Sequence, residues 1–274
     1  MTAMTTPLGA GRAHPERIAP RAGGFLRDLI TVAGRALRGA MRDPVAVFPA
    51  LVIPVFFFFV NVGSLETVAQ AAGTGDYHAF QLPVAIIFAV TGVSRANALV
   101  EDIASGYFER LLLTPINRLA LLLGLMVADL ALVIALCLPV LALGVLTGVS
   151  FTTGPLGVLV FVLLAGAWGV AFTGFPYAIA LRTGSLGAVA ASFILFFPFA
   201  FLTTAYVPKA LLGGWLATAA DLNPVTYVLA GLRSLVIDGW DASALTGAVL
   251  ATGLVAVVSI GLALTALRRR VRVP

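Results

Sequence analysis

The chain reads as an all-α integral membrane protein with six transmembrane helices, an N-terminal amphipathic interfacial helix and a re-entrant helical hairpin before the last span. Three observations predict this. Hydrophobic residues fill 60% of the 274 positions and charged residues only 11%, against about 25% charged in a soluble domain. Apolar runs long enough to cross hydrocarbon recur along the chain, and 130–181 carries no charged residue at all. A spanning helix needs about 20 residues at about 1.5 Å rise each, and a buried ionised side chain costs several kcal/mol. Finally, all of the 17 Lys and Arg residues except Lys209 and Arg233 fall on one side of a six-span layout. Seven precede the first span, and Arg268, Arg269, Arg270 and Arg272 close the chain. This is a positive-inside bias rather than a nucleic-acid patch, and it places both termini in the cytoplasm.

Taken in order, 1–24 has no apolar core of a signal peptide and is expected to be a disordered cytoplasmic tail. The remaining 25–272 is expected to form one transmembrane domain. Over 25–42 the period is helical: Arg27, Thr31, Arg35, Arg38 and Arg42 share one arc, opposite Phe25, Leu26, Leu29, Ala33, Leu37 and Met41. Such a helix lies in the membrane surface. Asp43-Pro44 ends it, and the first span follows at about 45–63 with Pro49 and Pro54 inside. After a loop over 65–78 comes a second span, about 79–100, whose Arg95 is expected to snorkel to the headgroups. The polar segment 101–118 leads into spans at about 119–146 and 156–181, parted by the turn-forming residues of 147–155. A fifth span covers about 186–206. Within 208–241 two apolar runs, too short to cross and too greasy for an exposed loop, turn at Asn223-Pro224 and are expected to dip into the outer leaflet. The sixth span covers about 244–267.

The chemistry that is missing narrows the function. There is no G-x-x-x-x-G-K-[ST] loop, no H-E-x-x-H and no C-x-x-C, and the two histidines, His14 and His78, lie in the tail and a loop. The single cysteine, Cys137, sits in an apolar run as an ordinary core or lipid-facing residue. Asp129 is the one carboxylate deep in a span. It is read either as a cation or proton site or as a structural acid hydrogen-bonded to a neighbouring helix. In the segment after the second span, Phe108, Leu111 and Leu112 beside Glu109 and Arg110 suit a short helix docked in a partner's groove or one lying on the membrane.

Three stretches in this order resemble the type-two ABC exporter permeases, the daunorubicin-resistance-like transmembrane subunits of bacteria. They are Arg42-Asp43-Pro44 before a Pro-containing span, Gly106-Tyr-Phe-Glu-Arg-Leu-Leu-Leu-Thr-Pro115 with Arg118, and Asn223-Pro224-Val-Thr-Tyr227 followed by Arg233. The similarity covers about 25–272. It implies a permease subunit of the bacterial cytoplasmic membrane, not itself an enzyme, that exports a hydrophobic or amphiphilic molecule such as a drug, antibiotic or lipid. ATP and Mg would be bound by a separate ABC ATPase in two copies, beside a second permease, identical or paralogous. The ATPase-coupling residues implied are Gly106, Phe108, Glu109, Arg110, Leu111, Leu112, Thr114 and Pro115, and the helix at 25–42 would be the connecting helix. Phe57, Asn61, Phe197, Phe201 and Thr203 would line the substrate path. Two competing readings remain: an ion-coupled secondary transporter using Asp129, and a membrane enzyme. The lack of evident internal repeats and of a clustered set of polar groups counts against them.

Overall fold

The computed structural model describes residues 24–42, 44–71, 75–194 and 196–272, and among these every regular element is helical. The elements are α1 (Phe25–Met41), α2 (Pro44–Ala71), α3 (Tyr77–Thr91), α4 (Ala96–Ala104), α5 (Tyr107–Leu112) and α6 (Arg118–Leu146). They continue with α7 (Gly154–Thr183), α8 (Leu186–Ile194), α9 (Phe196–Phe201), α10 (Gly214–Leu222), α11 (Pro224–Arg233) and α12 (Ala242–Arg272). Five stretches are long and apolar enough to cross a membrane: Phe48–Ala71, Tyr77–Ala104, Arg118–Leu146, Gly154–Thr183 and Ala242–Val271. This makes the chain a multi-pass membrane protein. In the region expected as a fifth span, helix is described as α8 and α9 on either side of residue 195, which lies outside the described residues. Irregular backbone follows over 202–207, so the helix stops short of the expected end at 206. The tail expected over 1–24 lies outside the described residues except for Gly24, and so does Asp43.

Local sequence explains where the helices begin and stop. Asp76 caps α3 through its carboxylate, which accepts the amides of His78 and Ala79, and Asn117 caps α6 in the same way. The Asp241 carboxyl accepts from the Ser243 hydroxyl and from the amides of Ala244 and Ser243 just before α12; these bonds hold its pKa below the usual carboxylate range. The first long helix runs on to Ala71, into the stretch expected as a loop, because 64–71 holds no proline and its Gln70 and Glu66 side chains join across one turn.

Close packing relies on small residues, since lipid offers no hydrophobic drive between helices. A side chain at Gly174 would meet the backbone of Ser259 at 2.5 Å, so α7 and α12 pack at backbone contact along much of their length. Gly124 does the same for α6 and α1, where a Cβ would lie 2.8 Å from Val32 Cβ. Consequently α1 has three faces rather than two. Val32, Ala33, Ala36 and Ala40 are buried, mainly against α6, the arginines form a polar arc, and Leu26, Ile30 and Met41 are left exposed as an outward apolar ridge. The core has two centres. One surrounds α3, with Leu82, Ile86, Phe161, Trp168 and Leu229; the other gathers Val32, Leu99, Phe108, Leu122, Tyr177 and Ala266 at the arginine-rich end.

The region 208–241 holds two short helices, α10 and α11, which meet at Asn223. The Asn223 amide nitrogen donates to the carbonyls of Phe199 at 2.7 Å and Leu202 at 2.8 Å, at the end of α9. Its carbonyl oxygen accepts the amide of Val225 at 3.0 Å and so caps α11, with Pro224 at the first helical position. One side chain thus closes two helices. Asn223→Asp keeps the acceptor but turns a carboxylate toward two carbonyls. We expect it to destabilise the detergent-purified chain at least as much as Asn223→Ala, each by about 1–3 kcal/mol, as read from the thermal midpoint. An Asp variant as stable as the parent contradicts this role.

Candidate coupling surface and buried polar sites

The segment between the second and third long stretches is built on Gly106. Its φ of 71° is a left-handed conformation that reverses the chain between α4 and α5 and costs a residue with a Cβ about 1 kcal/mol or more. The six-residue α5 then places its side chains on two sides. Phe108 is 1% exposed, inside the cluster formed by α1, α4, α6, α7 and α12, while Leu111 and Leu112 are half-buried. Glu109, Arg110, Thr114 and Pro115 are exposed, and Leu113 projects with 88% of its surface free. The apolar ridge expected from Phe108, Leu111 and Leu112 is therefore turned inward, with Phe108 filling that core and Leu111 and Leu112 partly packed against it. Leu113 takes the outward position.

Ion pairs tie this segment to distant parts of the chain. Arg270, near the end of α12, contacts Glu109 at 3.3 Å and donates to the Leu181 carbonyl at 3.1 Å, and its guanidinium lies 5.9 Å from the Phe108 ring. On the other side, Arg35 of α1 pairs with Asp102 of α4 and sits 4.5 Å over the Tyr107 ring. Asp28 accepts the amide of Asn117 at 2.9 Å. Exposed pairs of this kind are worth little singly. Together with the buried Phe108 they fix α5 to α1, α7 and α12.

Asp129 is fully buried, and both its oxygens are engaged. Oδ1 accepts the backbone amide of Arg95 at 2.9 Å, and Oδ2 accepts the Tyr177 hydroxyl at 2.6 Å. The amide of Arg95 is free because α3 stops at Thr91 and α4 starts at Ala96. The acid therefore satisfies a break in the second crossing and links it to α7. Arg95 itself is half-buried beside Gly39, with its guanidinium in a cavity of about 350 Å³ shared with Arg35, Arg38, Arg42, Glu101 and Asp102. No group of three or more potential metal ligands occurs among the described residues.

The residues expected along a substrate path divide. Phe57 stacks on Phe88 at 6.0 Å, Phe88 meets Phe201 edge-on at 6.2 Å, and Phe201 stacks on Phe197 at 6.0 Å, which makes one aromatic band joining α2, α3 and α9. Asn61 lies one turn beyond Phe57 and is half-exposed. Thr203 is apart from the band. It is buried, and its hydroxyl donates to Ala200 and accepts from Ala205. Sequence reasoning missed Phe88, which only the packing of α3 brings between α2 and α9. It also missed a second buried polar site: Arg233 donates to the carbonyls of Phe80, Thr204 and Ala205 at 2.8–3.2 Å and stacks 3.4 Å over the Phe80 ring. Gln81 reaches the Ala205 carbonyl as well, and Tyr77 donates to that of Tyr206. For Asp129 the arrangement makes a specific expectation. Asp129→Asn and Tyr177→Phe each lower thermal stability in detergent, and the double variant loses less than the sum, with a coupling of about 0.5–3 kcal/mol. Additive losses would show that the two groups act independently.

The model of the ABC-2 type transporter family matches residues 27–237. Two curated relatives from Mycobacterium tuberculosis, of strains CDC 1551 / Oshkosh and ATCC 25618 / H37Rv, are each described as a probable doxorubicin resistance ABC transporter permease protein, DrrC. Each is 26% identical over 238 residues, covering 85% of this chain and 86% of the relative. With a helical membrane architecture and a family match over most of its length, the chain belongs to the ABC-2 type transporter family.

Proposed function

We propose that this chain is the permease subunit of an ATP-driven exporter in a bacterial cytoplasmic membrane, and that its cargo is a hydrophobic or amphiphilic molecule. The observation that carries this reading is the placement of α5: an exposed tip, Glu109 to Pro115, rigidly joined through Phe108 and Arg270 to helices that cross the membrane. Such an element transmits a push without deforming. Family membership supports an ABC ATPase as the source of that push, bound in two copies beneath two permeases, each ATPase holding its own ATP and Mg. In this arrangement Leu113, Arg110, Thr114 and Pro115 form the contact, and Glu109 and Phe108 carry displacement inward. Both termini lie in the cytoplasm. The α8–α9 region completes a sixth crossing, and α10–α11 form a re-entrant hairpin in the outer leaflet. The domain is then 25–272 behind a cytoplasmic tail.

The aromatic band of Phe57, Phe88, Phe197 and Phe201, with Asn61 beside it, is the proposed face toward cargo. Phe197 and Phe201 are exposed, and stacked rings with few polar groups suit a planar amphiphile. A relative named for doxorubicin resistance is consistent with that class. Ion coupling through Asp129 has less support, since both of its oxygens already accept hydrogen bonds from the protein.

Two variants separate contact from transmission. Leu113→Asp, at a side chain with almost no packing, is expected to abolish co-purification with the ATPase while leaving permease stability unchanged. Phe108→Ala should keep the contact but lower stability by about 3–5 kcal/mol and uncouple vanadate-sensitive hydrolysis from transport. If Leu113→Asp assembles and hydrolyses ATP like the parent, the proposed contact is wrong. Transport in ATP-free vesicles driven by a proton gradient would reject the ATPase-driven reading altogether.

A further inference from the structure

Beside the α5 tip, at the arginine-rich end, lies a cavity of about 710 Å³ whose walls are of two kinds. Arg118, Arg182, Arg269 and Arg270 supply cations, and Leu112, Leu181, Ala266 and Val271 supply apolar surface. Arg270 is already committed to Glu109 and the Leu181 carbonyl. Among the described residues, Arg118, Arg182 and Arg269 form no ion pair with an acid, and Glu109 is the only carboxylate on the cavity wall. A second cavity, of about 350 Å³, shares Arg118 and Val271 with the first and continues between α6 and α12 along Leu119, Leu264, Leu267 and Arg268. A charged chamber therefore adjoins a crevice walled mainly by apolar side chains.

The position of this pair of cavities identifies what fits. Helices α6, α7 and α12 have 29, 30 and 31 residues, so each is roughly 45 Å long and overshoots a hydrocarbon core of about 30 Å. Arg118 opens α6, and Arg182 and Arg269 lie in the last turns of α7 and α12. The chamber thus sits at headgroup level, and the crevice leads back toward hydrocarbon. We infer that the paired cavities bind one anionic phospholipid, with its phosphate held by Arg118, Arg182 and Arg269 and an acyl chain laid along Leu119, Leu264 and Leu267. Guanidinium forks match phosphate oxygens, and basic pockets between membrane helices take anionic headgroups. The apolar crevice selects a lipid over free phosphate. The inference rests on the membrane reading of the chain and not on export.

The test uses the full-length permease without its ATPase, so its failure is distinct from failure of the coupling proposal. The purified chain in nanodiscs of phosphatidylcholine is titrated with phosphatidylglycerol, and bound lipid is counted by native mass spectrometry. One phosphatidylglycerol per chain should bind saturably. Arg118→Gln, Arg182→Gln and Arg269→Gln should each weaken it about fivefold, and Leu264→Trp should block it by filling the crevice. Arg27→Gln, on the exposed arc of α1, should leave it unchanged, and thermal midpoints report that the variants fold. Equal retention of phosphatidylcholine and phosphatidylglycerol overturns the inference. Full competition by inorganic phosphate overturns it too, since the site would then be an anion site without a lipid tail. So does a triple glutamine variant that keeps its lipid but no longer assembles with the ATPase, which would make the surface a protein contact.

Discussion

A backbone inside hydrocarbon has no water to satisfy it, so wherever this chain leaves the helix a side chain must take over the hydrogen bonding. Two departures depend on this. At 92–95 the second crossing breaks, and Asp129 from α6 accepts the freed amide of Arg95. At 202–207 the backbone after α9 is irregular, and Asn223, Arg233, Gln81 and Tyr77 donate to its carbonyls or to those of the preceding turn. An unmet buried group costs about 1–3 kcal/mol, so these few polar residues decide which irregular conformations a mostly apolar chain can hold. Regular helix elsewhere satisfies its own backbone.

The two ends of the molecule use charge differently. At the α5 end, arginines remain near the surface, where Arg270 fastens α5 to α12 through Glu109, and Arg35 ties α1 to α4 through Asp102 while covering the Tyr107 ring of α5. At the opposite end Arg233 is buried, and its partners are three carbonyl oxygens and the Thr204 hydroxyl, which neutralise no charge but hold the guanidinium in a fixed geometry. Lys209 and Asp221 pair at 2.5 Å on the surface of the same end. A hydrogen bond from Lys209 to that carboxylate raises its pKa above the usual lysine value. One end presents an adaptable charged face beside a projecting tip. The other is a closed polar lock over the end of α9.

Much of this organisation is legible in the sequence because the bilayer imposes simple rules. Length, apolarity and the arginine distribution suffice to place α6, α7 and α12 within a few residues, since nothing but a helix spans there. The turn at Asn223-Pro224 follows from side-chain chemistry alone. What pattern could not supply depends on which helices become neighbours. That Phe108 faces inward and Leu113 outward is decided by the vacancy between α1, α6 and α12, which spacing along a six-residue helix does not reveal. Phe88 joins an aromatic band only because α3 lies between α2 and α9. The third face of α1 exists because Gly124 admits Val32. Arg233 carried the one available signal, a basic residue in an apolar stretch on the charge-poor side.

The central claim is that the α5 tip is an inward-facing contact joined stiffly to the spans. Cys137 is buried and is the only cysteine of the chain, so Leu113→Cys introduces one accessible thiol. Labelling that thiol with a membrane-impermeant maleimide measures its side and its occupancy at once. The account predicts no reaction in intact cells, rapid reaction in inside-out vesicles carrying the permease alone, and protection when the ATPase is present. Reaction from outside intact cells, or equal labelling in vesicles with and without the ATPase, would contradict it.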